Sequence, residues 1–386
     1  MFVGAVYSWI RRKFPMRIGL LGFGVVGRGV YDIVSSRSDM QIATIVCLED
    51  VTLPGVNVTK NFEEILADDS IDTVIEAMGG TGLAYKFVRA AMEAGKNIVT
   101  SNKALVAVYY DELMALAKEK GLAFRCTAAV GGGIGWLSEL QRSRRVQKLC
   151  RVGGIMNGTC NYILDSMTRL GLTYADALSQ AQALGYAEAD PSTDIDGIDT
   201  WHKILLSANI AFGVSLDRSS VPAAGIRHIR ACDVAAFTEH GLVCKLISTA
   251  KCEDGAYRIY VQPTLVPNGE PEAAVPSNFN LITFWGEHSD RMSFYGQGAG
   301  RYPTAYNVVQ DCADMLAGLG FYCDTHEKVS ATNDEALCYY VRGHKDAWIN
   351  ENTAEHWGEA VITKPVKVSE MHAWLKEHPG TFIAAL

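Results

Sequence analysis

The sequence predicts an α/β protein: a doubly wound parallel sheet, then a second domain of α+β build, then a short C-terminal extension. Three observations carry this. From residue 17 to residue 100, apolar strand-like runs alternate with helical patterns, the signature of parallel strands joined by crossover helices. Beyond residue 242 strand-like runs follow one another (242–250, 257–264, 281–286), which marks a second domain. The chain has 386 residues, 48% of them hydrophobic and 20% charged, enough for two or three globular domains.

Charge and cysteine usage narrow the classes. A net charge of −8 and a pI near 5.6 argue against a nucleic-acid-binding surface, which needs a basic face. The ten cysteines form no C-x-x-C pair and several sit in apolar runs, as Cys47 and Cys126 do. They read as reduced thiols of a cytoplasmic protein rather than a disulfide framework or zinc site. No apolar run reaches membrane-spanning length. In residues 1–15 a short apolar piece precedes the basic residues, the reverse of a secretion signal. Met16 stands directly before the first strand, so residues 1–15 are expected to be a loose extension or a mis-called start.

Residues 17–22 (RIGLLG) read as a buried strand. Gly22, Gly24 and Gly27 follow in G-x-G-x-x-G spacing, with Phe23, Val25 and Val26 between them, and a helical pattern comes next. In this context the first glycine allows the tight turn, the second lets backbone approach a pyrophosphate, and the third lets helix pack on strand. A dinucleotide is the expected ligand. The second strand (QIATIVC) ends at Leu48-Glu49-Asp50, where an acid hydrogen-bonds a ribose hydroxyl and repels a 2′-phosphate. No arginine lies between Arg37 and Arg89, so the reading leans to NAD over NADP. Two further turns fall at carboxyl ends of parallel strands, where open sheets of this kind bind ligands. They are EAMGGTG, with Gly80 and Thr81, and TSNKALV, with Ser101 and Lys103.

Residues 122–136 run as a strand that breaks at Gly131, Gly132 and Gly133. Three glycines with free carbonyls suit a hard cation or a hinge between domains, and sequence alone favours the hinge. Asn157-Gly158-Thr159 opens a helix, with Asn157 and Thr159 as capping candidates.

Residues 185–203 (GYAEADPSTDIDGIDTWHK) concentrate the chemistry. Glu188, Asp190, Asp194, Asp196 and Asp199 precede a single Lys203. Pro191 and Gly197 make the first half loop or turn. A helical pattern follows, which puts Asp199 and Lys203 four apart on one face. The helix continues as ILLSANIAF, almost wholly apolar, so the pair is expected to be buried. A carboxylate and an ammonium buried together mark a site, and the surrounding carboxylates suit a cationic substrate such as an amino acid. A late glycine-rich stretch, FYGQGAGRYPTA with Gly300 before a helix, suggests a return to the cofactor site. The tail carries a strand-like EAVITKPVKV, a helix from Ser369, and a final TFIAAL.

Together these pieces resemble homoserine dehydrogenases from about Met16 to Gly318. The marks are LLGFGVVG, the GGT of residues 79–81, TSNKALVA, AVGGGI, GIMNGTCNYIL, LGYAEADPSTDIDGIDTWHK and GQGAGRYPTA. The resemblance implies a Rossmann nucleotide-binding domain over 16–135, completed by about 300–320, and an α+β domain for substrate and dimerisation over 136–299. Residues 321–386 are then an extension, a truncated or degenerate regulatory lobe. It implies a reversible NAD(P)-dependent conversion of L-homoserine to L-aspartate 4-semialdehyde, in threonine, methionine and isoleucine synthesis, by a homodimer or homotetramer.

Residue by residue, Lys203 matches the family's proton-transfer lysine, and Lys103 a second lysine facing nicotinamide and substrate. Glu188 and Asp199 match substrate ligands, and Gly185 a backbone contact to cofactor. Val130, Gly132 and Ile134 match backbone ligands of a monovalent cation, Na⁺ or K⁺, with one glycine of residues 298–300 beside them. Three positions depart: Thr127 stands where the family has a glutamate before the cation loop, Gly135 where it has proline, and Glu49 where an arginine often ends the second strand. Long family members close with an amino-acid-binding ACT domain. The chain after Tyr339 reads as too short for a complete one, which leaves threonine inhibition open.

Overall fold

The computed structural model describes residues 15–319 and 327–386; most of the expected N-terminal extension lies outside them. The chain divides into two compact units. One holds the described residues up to Ala129 and resumes at Gly300; the other holds Val130–Ala299 and the stretch from Glu327 to Leu386.

The first unit begins β1 (Met16–Leu21), α1 (Val25–Ser35), β2 (Met40–Val46), β3 (Asn57–Thr59) and α2 (Glu63–Ala67). It continues β4 (Thr73–Glu76), α3 (Gly82–Glu93), β5 (Asn97–Thr100), α4 (Lys103–Lys120) and β6 (Phe124–Arg125). The strands pair in parallel in the order β3-β2-β1-β4-β5-β6. That is the doubly wound order, with its switch point beside β1. Helices cover both faces, so strand residues of either parity are buried: Ile18, Leu20 and Leu21 have no exposed surface. A helix over Arg301–Leu316 packs on α1, close enough that a Cβ on Gly29 would stand 2.8 Å from the Arg301 carbonyl oxygen.

The second unit runs α5 (Trp136–Ser143), β7 (Leu149–Ile155), α6 (Gly158–Leu170), α7 (Tyr174–Ala183), α8 (Ser192–Ile195) and α9 (Ile198–Phe212). Then come β8 (Val214–Leu216), α10 (Ala231–Glu239), β9 (Leu242–Glu253), β10 (Ala256–Pro267), β11 (Phe279–Gly286) and β12 (Asp290–Gln297). The helix Arg301–Leu316 of the first unit is α11. The chain ends β13 (Glu327–Val329), β14 (Ala336–Leu337), β15 (Tyr339–Arg342), α12 (Ala347–Asn352), β16 (Thr353–Trp357), β17 (Ala360–Thr363), β18 (Val366–Lys367), α13 (Val368–Glu377) and β19 (Phe382–Ala385). A nine-stranded sheet in the order β12-β11-β7-β9-β10-β19-β15-β17-β16 is the backbone of this unit. Its neighbours are antiparallel except β10 and β19, which meet in parallel at Thr264 and Ala385.

The tail differs from the expectation of an incomplete lobe. Leaving aside the two-residue β18, which pairs with β14, it runs β-α-β-β-α-β from β15 to β19, and its strands lie in the order β19-β15-β17-β16, the arrangement of a complete split βαββαβ unit. The unit fits in so little chain because its strands have four or five residues and α12 only six. Tyr339, Val341, Val361, Met371 and Ile383 form its core. Among the described residues no helix is long and apolar enough to cross a membrane.

Candidate active site

In the first unit the glycine-rich turn sits at the carboxyl end of β1. Gly27 is required there by close packing, since a Cβ would lie 2.1 Å from the Gly22 carbonyl oxygen. Gly24 faces open space, with nothing within 4 Å of the position its Cβ would take, as backbone that must admit a phosphate should. Phe23 is buried, whereas Val25 is 66% exposed at the start of α1. Glu49 follows β2 on the surface, where its carboxylate is ion-paired with Arg28 of α1. The Arg28 guanidinium also lies 4.6 Å from the Phe23 ring centroid.

The two later turns are fastened together by Glu76, a fully buried carboxylate. Its Oε1 accepts from the backbone N–H groups of Met78 (2.8 Å) and Gly79 (3.1 Å), and its Oε2 accepts from the Thr100 hydroxyl at 2.6 Å. The Asn102 amide donates to the Gly80 carbonyl at 2.6 Å, and its oxygen caps α4 by accepting from Leu105 N–H. Gly80, Thr81, Ser101 and Lys103 are therefore held at adjacent strand ends. Lys103 is the first residue of α4 and half-buried. Gly300, with φ +121°, stands at the start of α11 in the same unit.

In the second unit the spacing argument for Asp199 and Lys203 holds. Both lie in the first turns of α9 and are buried, at 2% and 7% exposure. Lys203 Nζ is 2.7 Å from Asp199 Oδ2 and donates to the Met156 carbonyl at 2.6 Å. Met156 stands two residues before α6. Asn157, which caps α6, joins the second half of the cluster. Its amide nitrogen donates to Asp194 Oδ1 (2.7 Å) and Asp199 Oδ2 (2.8 Å), and its oxygen accepts from Cys160 N–H. The buried pair Asp199 and Lys203 and the half-buried Asp194 are thus one polar cluster. The apolar remainder of α9, with Ile204, Leu205, Leu206 and Ile210, anchors it. Removing one partner from such a buried pair costs about 3–5 kcal/mol, so the arrangement is tightly specified. Burial raises the Cys160 thiol pKa well above its ordinary value, so it is not a nucleophile here.

The other predicted residues lie outside that cluster. Glu188 is exposed, and only its backbone carbonyl is engaged, by Gln182 Nε2 at 3.0 Å, among the described residues. Gly185, with φ +74°, closes α7 in an exposed turn. Asp196 is taken by Arg227 in a two-pronged pair at 2.7 Å each.

The loop carrying Val130, Gly132 and Ile134 is a tight backbone turn. Ile134 N–H donates to the Gly131 carbonyl at 2.7 Å, and Gly133 N–H to the Gln297 carbonyl at 3.1 Å. Gly132 has φ +46° and packs on Gly298 so closely that a Cβ would be 2.6 Å from its carbonyl. Asn280, fully buried, packs on the other side of Gly298 with neither amide atom hydrogen-bonded among the described residues. Backbone carbonyls with an unmatched amide oxygen nearby are hard donors of the kind a monovalent cation takes. Thr127, at the position where the resemblance has a glutamate, is otherwise employed. Its hydroxyl and N–H both donate to Asp311, at 2.7 and 2.9 Å. Burial pushes the Asp311 carboxyl up, and the Arg125 guanidinium beside it opposes that.

The positioning roles of Glu76, Asn102 and Arg28, and the bridge made by Asn157, went unread in the sequence. Glu76 had a visible signal, an acid directly before a double-glycine turn.

The comparisons with known proteins identify the family. A family model described as homoserine dehydrogenase matches residues 136–313, and one described as the NAD binding domain of homoserine dehydrogenase matches residues 22–126. The homoserine dehydrogenase of Bacillus subtilis is 35% identical over 318 residues, spanning 79% of this chain and 73% of its own. That of Synechocystis is 38% identical over 317 residues, spanning 78% and 73%. A solved homoserine dehydrogenase from Thiobacillus denitrificans superposes with a TM-score of 0.85 at 28% identity, over 96% of this chain and 98% of the other. Motifs in both units and relatives of this identity and span lead to one conclusion: the chain belongs to the homoserine dehydrogenase family, oxidoreductases that pair a nicotinamide dinucleotide with a small-molecule substrate.

Proposed function

We propose that this chain interconverts L-homoserine and L-aspartate 4-semialdehyde, in threonine, methionine and isoleucine synthesis, with Lys203 as general acid and base. The observation that carries the reading is the buried Lys203–Asp199 pair tied through Asn157 to Asp194. When bound, the nicotinamide supplies or takes up the hydride at C4 of the substrate. The oxygen formed on reduction needs a proton, which the Lys203 ammonium donates. Asp199 Oδ2 and the Met156 carbonyl both accept from that ammonium and stabilise its charged form, against the burial that opposes it. The arrangement suits aldehyde reduction at neutral pH, and alcohol oxidation improves as the medium becomes alkaline. Asp199, Asp194 and Glu188 are acids for the substrate's ammonium and hydroxyl ends, and Lys103 is the second lysine of the site.

Gly22 to Gly27, Gly80, Thr81, Ser101, Lys103, Gly185 and Gly300 are the cofactor contacts of this reading. Glu49 inclines the enzyme to NAD, and Arg28 beside it makes the preference modest. Val130, Gly132 and Ile134 are the carbonyl ligands for Na⁺ or K⁺. A homodimer or homotetramer fits the edge strand β12, whose Met292 and Tyr295 are 44% and 54% exposed. None of the described cysteines is in a disulfide, which suits a reducing cytoplasm.

The test is Lys203→Met and Lys203→Ala. Each should lower kcat by about 100-fold or more with cofactor affinity unchanged, measured by absorbance at 340 nm and by fluorescence titration. Near-wild-type turnover removes the assignment to Lys203. Cofactor binding without any absorbance change on adding homoserine to the wild type removes the reaction itself.

A further inference from the structure

We propose that His344, Asp346 and His378 of the C-terminal lobe form a binding site for a transition-metal dication of the zinc, cobalt or nickel type. None of the three belongs to the catalytic cluster or to the nucleotide turns.

One potential ligand atom from each residue lies within 4.8 Å of the other two. His378 Nε2 and Asp346 Oδ2 are 3.5 Å apart. That is long for a charge-assisted hydrogen bond, which runs about 2.7–2.9 Å. It matches the edge of a tetrahedron about a metal with bonds near 2.0–2.1 Å, whose ligand atoms are about 3.4 Å apart.

The side chains are oriented as metal ligands are. His378 Nδ1 lies 2.8 Å from the Trp374 carbonyl. A carbonyl only accepts, so Nδ1 carries the proton, which in the neutral imidazole leaves the lone pair on Nε2, toward Asp346. Metal-binding histidines are fixed by such a bond from their other nitrogen. The imidazole is further held by stacking on Trp374, with ring centroids 4.3 Å apart. Asp346 is held from two sides. Oδ1 accepts from the Ile349 N–H at 2.9 Å, capping α12, and Oδ2 accepts from Trp374 Nε1 at 2.9 Å. His344 stacks on His378 at 4.4 Å, and its ring nitrogens make no hydrogen bond among the described residues. It is exposed, so rotation about its side-chain bonds closes the remaining gap.

Two imidazoles and one carboxylate favour borderline dications over Mg²⁺ or Ca²⁺, which want oxygen shells. Three protein ligands leave a position for water or a further ligand. The ligands come from the β15–α12 connection and from the residue that ends α13. A bound ion therefore pins the start of one helix to the end of the other within the βαββαβ lobe.

The experiment uses the full chain without a histidine tag, stripped with chelator, dialysed and titrated with Co²⁺ while its visible d–d absorption is followed. One Co²⁺ should bind per chain, be displaced by Zn²⁺, and be unaffected by excess Mg²⁺ or Ca²⁺. His344→Ala and His378→Ala should each weaken binding by at least about tenfold, with circular dichroism unchanged. Zn²⁺ should raise the melting temperature of the wild type but not of the double variant. No saturable cobalt spectrum in the wild type overturns the site, as does a spectrum that survives both histidine substitutions. Asp346→Asn is the third arm. Because Asp346 also caps α12, a folding defect there leaves the two histidine variants to decide.

Discussion

Asn157 makes three distinct hydrogen bonds from one amide, and two of them hold carboxylates that would otherwise repel each other. Bonds to charged groups are worth about 1.5–3 kcal/mol each, so losing both bridges disturbs the cluster far more than losing a helix cap, typically about 1 kcal/mol. Asn157→Ser separates the two effects, because serine caps a helix as well as asparagine does but cannot span both acids. The variant should keep its circular dichroism spectrum and bind cofactor normally, while kcat/KM for homoserine falls at least about tenfold, the equivalent of about 1.4 kcal/mol. Wild-type kcat/KM would make Asn157 a cap and nothing more. Local spacing reveals the Asp199–Lys203 pair, because residues four apart on a helix must share a face. It cannot reveal Asn157 as the bridge: its partners are 37 and 42 residues away, and a capping residue looks the same whether or not its amide has a second task.

Among elements, α1 and β2 illustrate how a correct motif leaves its specificity unread. The strand–turn–helix of the dinucleotide site follows from glycine spacing and apolar runs, and the acid after β2 stands where expected. Searching residues 37–89 for an arginine missed Arg28, which reaches Glu49 from the next helix across the turn. The cation that partly neutralises the acid precedes it by 21 residues. Glu49→Ser should therefore release Arg28 for a 2′-phosphate and move the ratio of kcat/KM for NADP over NAD upward by about tenfold, or about 1.4 kcal/mol. Adding Arg28→Ala should cancel the gain. An unchanged ratio in Glu49→Ser would mean that neither residue meets the ribose. The strand β12 went unread for a related reason. At a sheet edge its residues need not alternate apolar and polar, and Asp290, Arg291, Ser293 and Gly296 leave no apolar run to mark it.

At the scale of the whole molecule, the tail is built into the second unit rather than appended to its surface. Its length suggested an incomplete lobe because strand counts from sequence assume longer strands, and because pairing between β19 and β10 is non-local. Side chains carry the junction. Arg342 pairs with Asp233 of α10 at 2.5 and 2.9 Å, and Tyr340 donates to the same carboxylate at 2.7 Å. On β10, Gln262 Oε1 accepts from His372 Nε2 at 2.9 Å and from the Tyr339 hydroxyl at 3.3 Å. His372 is 3% exposed, and burial, helped by Lys376, lowers its pKa from 6.5 to about 4. The folded chain therefore holds this imidazole neutral at pH values where the unfolded chain protonates it. The sign follows from linkage: above pH 6.5 neither state binds the proton and stability is unaffected, while between pH 6.5 and 4 the unfolded state gains it alone. Stability should fall as pH drops through that window, by up to about 3 kcal/mol from this residue. His372→Gln, which keeps a donor for Gln262 but cannot titrate, should flatten the profile, read as urea midpoints for both proteins across the window. Parallel profiles would place the acid sensitivity elsewhere, in carboxylates such as Asp39 and Asp68 whose pKa values are lowered in the fold. Those groups lose their contribution at a lower pH than a histidine does, so a loss shared by both proteins at the acid end of the profile points to them, and a separation between pH 6.5 and 4 points to His372.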